Sequence, residues 1–312
     1  MEDLYYSLAE RFLRRVRFQS PRALSALRGA SVLYLANHQV AIESLLFSVV
    51  MSGLSEQPTI TLAKAEHRTS WLGLLIKHAF SFPGVTDPGV ITFFDRGAQD
   101  ELPKVVLGLA EALSRSEKSV MVHVEGTRAL SSRAPGAKMS GAFLDMALAT
   151  GTPVVPVRFV GGLPVEPVSK RLEFPVGMGR QDILIGEPIS TKELSKLHYK
   201  ERKERVIAAI NALAPVNEEP SPAEPEFAGR VLAWQEQTGA SEEHSVLYES
   251  LRRWSSPCEE TRSLFAAIER GHAISGTTPR DRWLVALARR LASPCPLPES
   301  LQGRLGKPGG GD

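Results

Sequence analysis

The feature that most constrains this chain is a regular exchange of short apolar runs and longer amphipathic segments between residues 31 and 214. Runs of strand character occur at 31–36, 59–63, 90–94, 119–124, 153–160 and 182–185. Between and after them, residues 40–53, 70–80, 101–114, 140–149 and 191–213 repeat their apolar positions at helical spacing. A period that switches between two and 3.6 in this way predicts an α/β fold. Its sheet should be mostly parallel (mixed) and flanked by helices, with reactive loops gathered at one end of the strands.

The flanks read differently. Residues 1–30 are expected to form N-terminal amphipathic helices, since Leu4, Leu8, Phe12 and Val16 recur at helical spacing. Arg11, Arg14, Arg15 and Arg17 give this stretch a cationic character. Such a helix can lie on an anionic membrane surface, or pack on its own domain with the arginines in water, and the apolar stripe serves both. Residues 215–225, PVNEEPSPAEP, read as a proline- and glutamate-rich linker. Residues 226–293 read as a helical extension in which Trp234, Trp254 and Trp283 could meet in a small bundle, and 294–312 as a flexible tail.

Charge excludes more than it suggests. The 37 basic and 35 acidic residues leave a net +2, which does not point to nucleic acid. Cys258 and Cys295 lie far apart with no metal-ligand spacing, a usage that fits a reducing compartment. No secretory signal opens the chain, and the longest uncharged apolar stretch, 44–54, is about half of what a spanning helix needs. The expected location is cytoplasmic, peripheral at the inner face of a membrane.

Four stretches of the α/β region combine turn chemistry with reactive side chains. In the first, SVLYLANHQVAIES, an apolar run ends at Asn37-His38, and Glu43 follows five residues later. On one continuous helix residues five apart do not meet. With His38 in the turn before the helix, its ring can fold back on Glu43, and a histidine with a carboxylate partner can deprotonate a hydroxyl. Taken alone, the pair is more often a surface histidine near a helix start. The second stretch, ITFFDRG, places Arg96 after a strand, where its planar fork can hold a phosphate, although an arginine so placed is more often a surface ion-pair partner. The third, VEGTR, sets Glu125, Gly126, Thr127 and Arg128 in a turn fit either for an oxygen-rich ligand or for an ordinary strand end. The fourth, TPVVPV, has two prolines in a strand, which suggests an edge or a rigid wall.

In this order and spacing, the four blocks resemble the glycerophosphate acyltransferase superfamily, most of all the bacterial 1-acylglycerol-3-phosphate (lysophosphatidic acid) acyltransferases. The family's Asn-His-x4-Asp is matched by NHQVAIES, its Phe-rich run ending in Asp-Arg by ITFFDRG, its Pro-Glu-Gly-Thr-Arg-Ser by VEGTRAL, and its Val-Pro-x-Val-Pro-Val by TPVVPV. TLAKAEH with Lys64, KMSGAFLDMAL and IGEPIS also look like family segments, so the resemblance covers about 30–215. Departures are Glu43 for aspartate, Val124 for proline, Ala129 for serine, and no long apolar N-terminal anchor. The region after 226 has no counterpart.

The resemblance implies acyl transfer from an acyl-carrier-protein or coenzyme A thioester, used as donor substrate with no other cofactor, to the free hydroxyl of a lysophospholipid, giving phosphatidic acid. His38 would act as general base with Glu43 orienting its ring. Arg96 and Arg128 would hold the acceptor phosphate, Glu125, Gly126 and Thr127 would shape the acceptor site, and Lys64 would meet a donor or acceptor phosphate. No metal is implied. The implied partners are an acyl carrier protein or domain, the lysophospholipid and a membrane surface. Trp71, Leu72, Leu74, Leu75 and Phe80 are candidates for an acyl groove, although a helix stripe of this kind is more often core. The proline-rich stretch and glycine-rich end also fit a domain of a larger fatty-acid or polyketide-type synthase. Competing readings are the same dyad with a different lipid or an amine acceptor, and a non-catalytic module that binds acyl chains or carriers.

Overall fold

The computed structural model describes the chain except residues 1, 81–90, 96–100, 133–138, 216–218, 256–258, 271–278 and 293–312. The chain divides into two compact units, 1–228 and 229–312. The first opens with α1 (Glu2–Phe12), β1 (Leu13–Phe18), α2 (Pro21–Leu27), β2 (Leu33–Ala36), α3 (Glu43–Ser55) and β3 (Thr59–Lys64). It continues with α4 (Trp71–Phe80), β4 (Ile91–Phe94), α5 (Glu101–Ser114), β5 (Ser119–His123), α6 (Ala142–Thr150) and β6 (Val154–Val160). After β7 (Gln181–Ile185) come α7 (Thr191–Leu194), α8 (Tyr199–Asn211) and the start of α9 (Pro225–Thr238).

The seven strands form one sheet in the order β1-β7-β6-β2-β5-β3-β4. Every pairing is parallel except that of β6 with β7. The α/β fold with a mostly parallel sheet is thus present. Both faces are covered, which is why the strands read as unbroken apolar runs. Leu33, Leu35, Val120, Val122 and Val154 face a core shared with α5, α6 and α8. The alternate residues Tyr34, Ala36, Met121, Val155 and Val157 pack in a second core with Leu27, Phe47 and Met51. Strand β2 lies at the centre, and the chain leaves it toward β3 on one side but later fills β6 on the other. The C-terminal end of β2 is therefore a topological switch point, where open α/β sheets place their ligand crevice.

Four expectations are corrected. Residues 13–18 form a strand rather than the end of a helix. Asp182 on β7 takes bonds from both Arg14, at 2.8 Å, and Arg15, at 2.7 Å. Arg11 is buried, bonded to the Met178 carbonyl and paired with Glu224 at 3.3 Å. Three of the four arginines thus bond to other parts of the fold, Arg11 buried and Arg14 and Arg15 at its surface.

The proline-rich stretch, where described, is docked rather than loose: Glu224 pairs with Arg11 and Arg180, its N–H reaches the Gly177 carbonyl at 2.9 Å, and Phe227 is buried. The helix expected over 191–213 is two helices, with His198 capping the second.

The strand with two prolines is interior, not an edge. The missing N–H of Pro156 falls between the Val157–Ile185 pair and the Val154–Ile189 bridge, where the chain after β7 steps out of the ladder. Its carbonyl still accepts from Gly186 N–H at 2.9 Å. Gly186 is needed there, since a Cβ would sit 2.7 Å from Pro156 Cγ. Gly186→Ala is expected to cost about 1–3 kcal/mol by overpacking. Thermal melting checks this, and an unchanged midpoint would remove the close-approach argument.

In the second unit, α10 (Glu242–Ser255), α11 (Glu259–Glu269) and α12 (Pro279–Leu291) pack on one another. Trp234 stacks on Tyr248 with centroids 3.8 Å apart, and Phe265 meets Tyr248 edge-on. The side chains of Trp254 and Trp283, and both cysteines, lie outside the described residues. No helix among the described residues is long and apolar enough to cross a membrane.

Candidate active site

The site is built on the loop that leaves β2. Asn37 prolongs the sheet with its side chain: Nδ2 donates to the Phe159 carbonyl at 2.9 Å, and Oδ1 accepts from Phe159 N–H at 2.7 Å. The next residue, His38, is held by its backbone on the turn after β5. Its N–H donates to Glu125 Oε1 at 3.1 Å, and its carbonyl accepts from Ala129 N–H at 2.8 Å. Gly126 makes that turn possible, with φ of +67°, where a side chain is disfavoured. The VEGTR block is thus first of all the mount of the histidine. The Gly126 N–H is bonded to the His123 carbonyl at 3.2 Å.

The ring of His38 folds back on the first residue of α3, as the spacing of five predicts. Nδ1 lies 3.1 Å from Glu43 Oε2. The same oxygen accepts from Gln39 N–H at 2.9 Å, and Oε1 accepts from Gln181 Nε2 at 2.7 Å. Glu43 is fully buried, and burial pushes its carboxyl up to about 7, against the pull of these donors. With Glu43 ionised, Nδ1 of His38 carries the proton, and Nε2 is the ring nitrogen that would take one from a substrate.

A second histidine was not singled out from the sequence. His123, at the end of β5, stacks on His38 with centroids 3.6 Å apart and planes 13° from parallel. Its Nδ1 lies 2.6 Å from the Asn37 carbonyl, which can only accept, so Nδ1 carries hydrogen and Nε2 accepts from Ser44 Oγ at 3.0 Å. Burial first, and the His38 charge second, hold its imidazole down at about 3. It stays neutral. The bonds to the Asn37 carbonyl and to Ser44 hold the His123 ring in this one tautomer beneath His38.

His38, Glu43 and His123 offer ligand-type atoms within 4.8 Å of one another. Yet an ion at bonding distance from both near-parallel rings would lie far out of each ring plane, away from the nitrogen lone pairs. Both ring nitrogens of His123 are also spent on hydrogen bonds. The donor set suits a proton-transfer dyad and not a metal.

The dyad opens on a cavity of about 790 Å³. Leu35, Leu62, Leu72, Val122 and Phe143 form part of its apolar wall, while Lys64, Glu125, Thr127 and Arg128 bring polar groups to it. Trp71 also lines it, whereas Leu75 is in the core and the side chain of Phe80 lies outside the described residues. Lys64 is half-exposed and 3.4 Å from Glu66. Arg128 is held by a partner that no motif marks: its Nη1 donates to Glu173 and, at 2.8 Å, to the Leu172 carbonyl. The Trp71 indole N–H holds the other Glu173 oxygen at 2.8 Å. The backbone at 172–173 also pairs with Ala41 and Ile42 in the His38 loop. Arg96 lies outside the described residues.

Residues 15–160 match the family model described as Acyltransferase. Among solved structures, the chain is similar to the crystal structure of the 1-acyl-sn-glycerophosphate (LPA) acyltransferase PlsC from Thermotoga maritima. Identity is 20%, the TM-score is 0.44, and the match covers 68% of this chain and 78% of that one. Comparison with curated proteins finds no match.

Proposed function

We propose, from the match of residues 15–160 to the Acyltransferase family model, a specific transfer for this chain. A fatty acyl group passes from an acyl-carrier-protein or coenzyme A thioester to the free hydroxyl of 1-acylglycerol-3-phosphate. The observation that carries this reading is the His38–Glu43 contact at the mouth of a large, partly apolar cavity.

His38 Nε2 takes the hydroxyl proton as the lipid oxygen attacks the thioester carbonyl. The C–O bond forms, the C–S bond breaks, and the imidazolium returns its proton to the departing thiolate. Glu43 keeps Nδ1 protonated and offsets the charge that forms on the ring. The acyl chain lies along the apolar wall, and the acceptor phosphate lies toward Arg128. No acyl-enzyme is needed, since the reactants can be held together and react directly.

Arg128→Ala is expected to raise KM for the phosphorylated acceptor by about tenfold or more, the loss of one charge-assisted contact. An unphosphorylated monoacylglycerol should be affected much less. Equal effects on the two acceptors would move the phosphate elsewhere.

Glu173 favours a second reading. Its carboxylate, beside Arg128 and open to the cavity, would suit an acceptor bearing an amine or a zwitterionic headgroup. Assaying lysophosphatidic acid, lysophosphatidylethanolamine and monoacylglycerol side by side separates the two. Highest kcat/KM on lysophosphatidic acid supports the first, and highest on the ethanolamine lipid replaces it with the second.

A further inference from the structure

The acid of the dyad depends on a residue outside the matched 15–160 segment. Gln181, the first residue of β7, is fully buried. Its Nε2 lies 2.7 Å from Glu43 Oε1 and 3.3 Å from Gln39 Oε1. Both neighbours are acceptors, so only the amide nitrogen can face them, and the opposite Oε1 is left buried without a hydrogen-bond partner. Leaving an acceptor unsatisfied is costly, and is tolerated where a specific donor is needed on the other side. Gln39 closes the network. Its Oε1 also accepts from Gly162 N–H at 2.8 Å, and its backbone N–H holds Glu43 Oε2. Gly162 makes room for it, since a Cβ there would lie 2.3 Å from Gln181 Nε2.

We propose that Gln181 is a positioning residue for the acyl transfer: it grips one oxygen of Glu43 so that the other is turned to His38 Nδ1. The chain beyond β6 then completes the site as well as the sheet. The role rests on the dyad reading of His38 and Glu43. It deepens that reading by making the ionised, oriented state of the acid depend on a neutral donor rather than on a cation. An amide suits this better than a lysine or arginine would, since a fixed cation there would favour the carboxylate so strongly that it would weaken the basicity of the nearby imidazole.

The test is the pH dependence of two near-isosteric variants in the full chain, with folding checked by circular dichroism and thermal melting. Gln181→Met removes the donor. It should move the acid limb of kcat/KM upward by about one pH unit, with at least about tenfold loss at pH 6, a smaller loss above pH 9 and little change in either KM. Gln181→Glu places two carboxyls where they must share a proton, and should move the limb further up. A folded variant with an unshifted limb, whatever its activity, overturns the proposal. So does failure of both variants to fold, which would assign Gln181 to the sheet alone.

The Glu43 carboxyl can also be titrated by NMR in labelled protein, identified by its absence in Glu43→Gln. It should show the same upward shift in Gln181→Met without any substrate. An unshifted titration overturns the role of Gln181 even if the lipid acceptor is as proposed. A shifted titration in a protein that transfers nothing to lysophosphatidic acid upholds Gln181 and rejects the acceptor.

Discussion

His38→Ala is expected to lower kcat by about 10³-fold, within the range that a positioned general base supplies. KM for donor and acceptor should change little, because the ring supplies a proton acceptor rather than the bulk of the cavity wall. The fold should persist. The His38 backbone, not its ring, carries the bonds to Glu125 and Ala129 that close the loop. The ring contributes one bond to Glu43 and a stack on His123, and losing them costs on the order of 1–2 kcal/mol. Steady-state kinetics with circular dichroism checks this, and activity within a few-fold of the wild type would remove His38 from the chemistry.

The second large effect is on pH, and it has opposite signs for activity and stability. Catalysis needs Glu43 ionised, so kcat/KM should rise about tenfold per unit below pH 7 and level off above it. Stability runs the other way. Burial raises the Glu43 carboxyl from its usual 4.5 to about 7, so between those values the folded protein keeps a proton that the unfolded chain releases. Its contribution is complete below about 4.5 and is lost as pH climbs through 7. The shift corresponds to about 3 kcal/mol as an order of magnitude.

Glu43→Gln removes both effects. Turnover should fall by about 10²-fold or more, as an uncharged partner no longer fixes the tautomer of His38 or offsets its charge. The variant should also lack the wild type's loss of stability between pH 4.5 and 7.5. Parallel melting curves of the two proteins across that range would contradict the burial argument.

What the sequence disclosed follows from how local each feature is. The dyad was legible because His38 and Glu43 share one loop and helix start, and a spacing of five fits a turn and not a helix. The strands were legible because a sheet covered on both faces leaves unbroken apolar runs such as Val32 to Ala36. Features set by distant partners were not. Residues 13–18 look like the end of an arginine-rich helix until Asp182, some 168 positions away, draws Arg14 onto β7. Pro156 looks like an edge residue until Gly186 shows where the neighbouring chain steps aside.

The same division holds within the site. The place of Arg128 in VEGTR suggests a phosphate ligand, but its clamp Glu173 comes from a loop with no motif. Gln181 has no local signal at all, since one glutamine opening an apolar strand resembles any other. His123 gave a faint one: a histidine that ends an otherwise apolar strand just before a glycine turn. That position combines burial with a functional loop.

In the proposed reaction the acyl group passes straight from a thioester to a lipid hydroxyl. The most direct measurement of this step is a single-turnover assay with radiolabelled acyl-coenzyme A or acyl carrier protein, with and without lysophosphatidic acid. Labelled phosphatidic acid is expected when the acceptor is present, and no labelled protein when it is withheld. Label covalently trapped on the protein, or free fatty acid released at the same rate with or without acceptor, would contradict direct transfer.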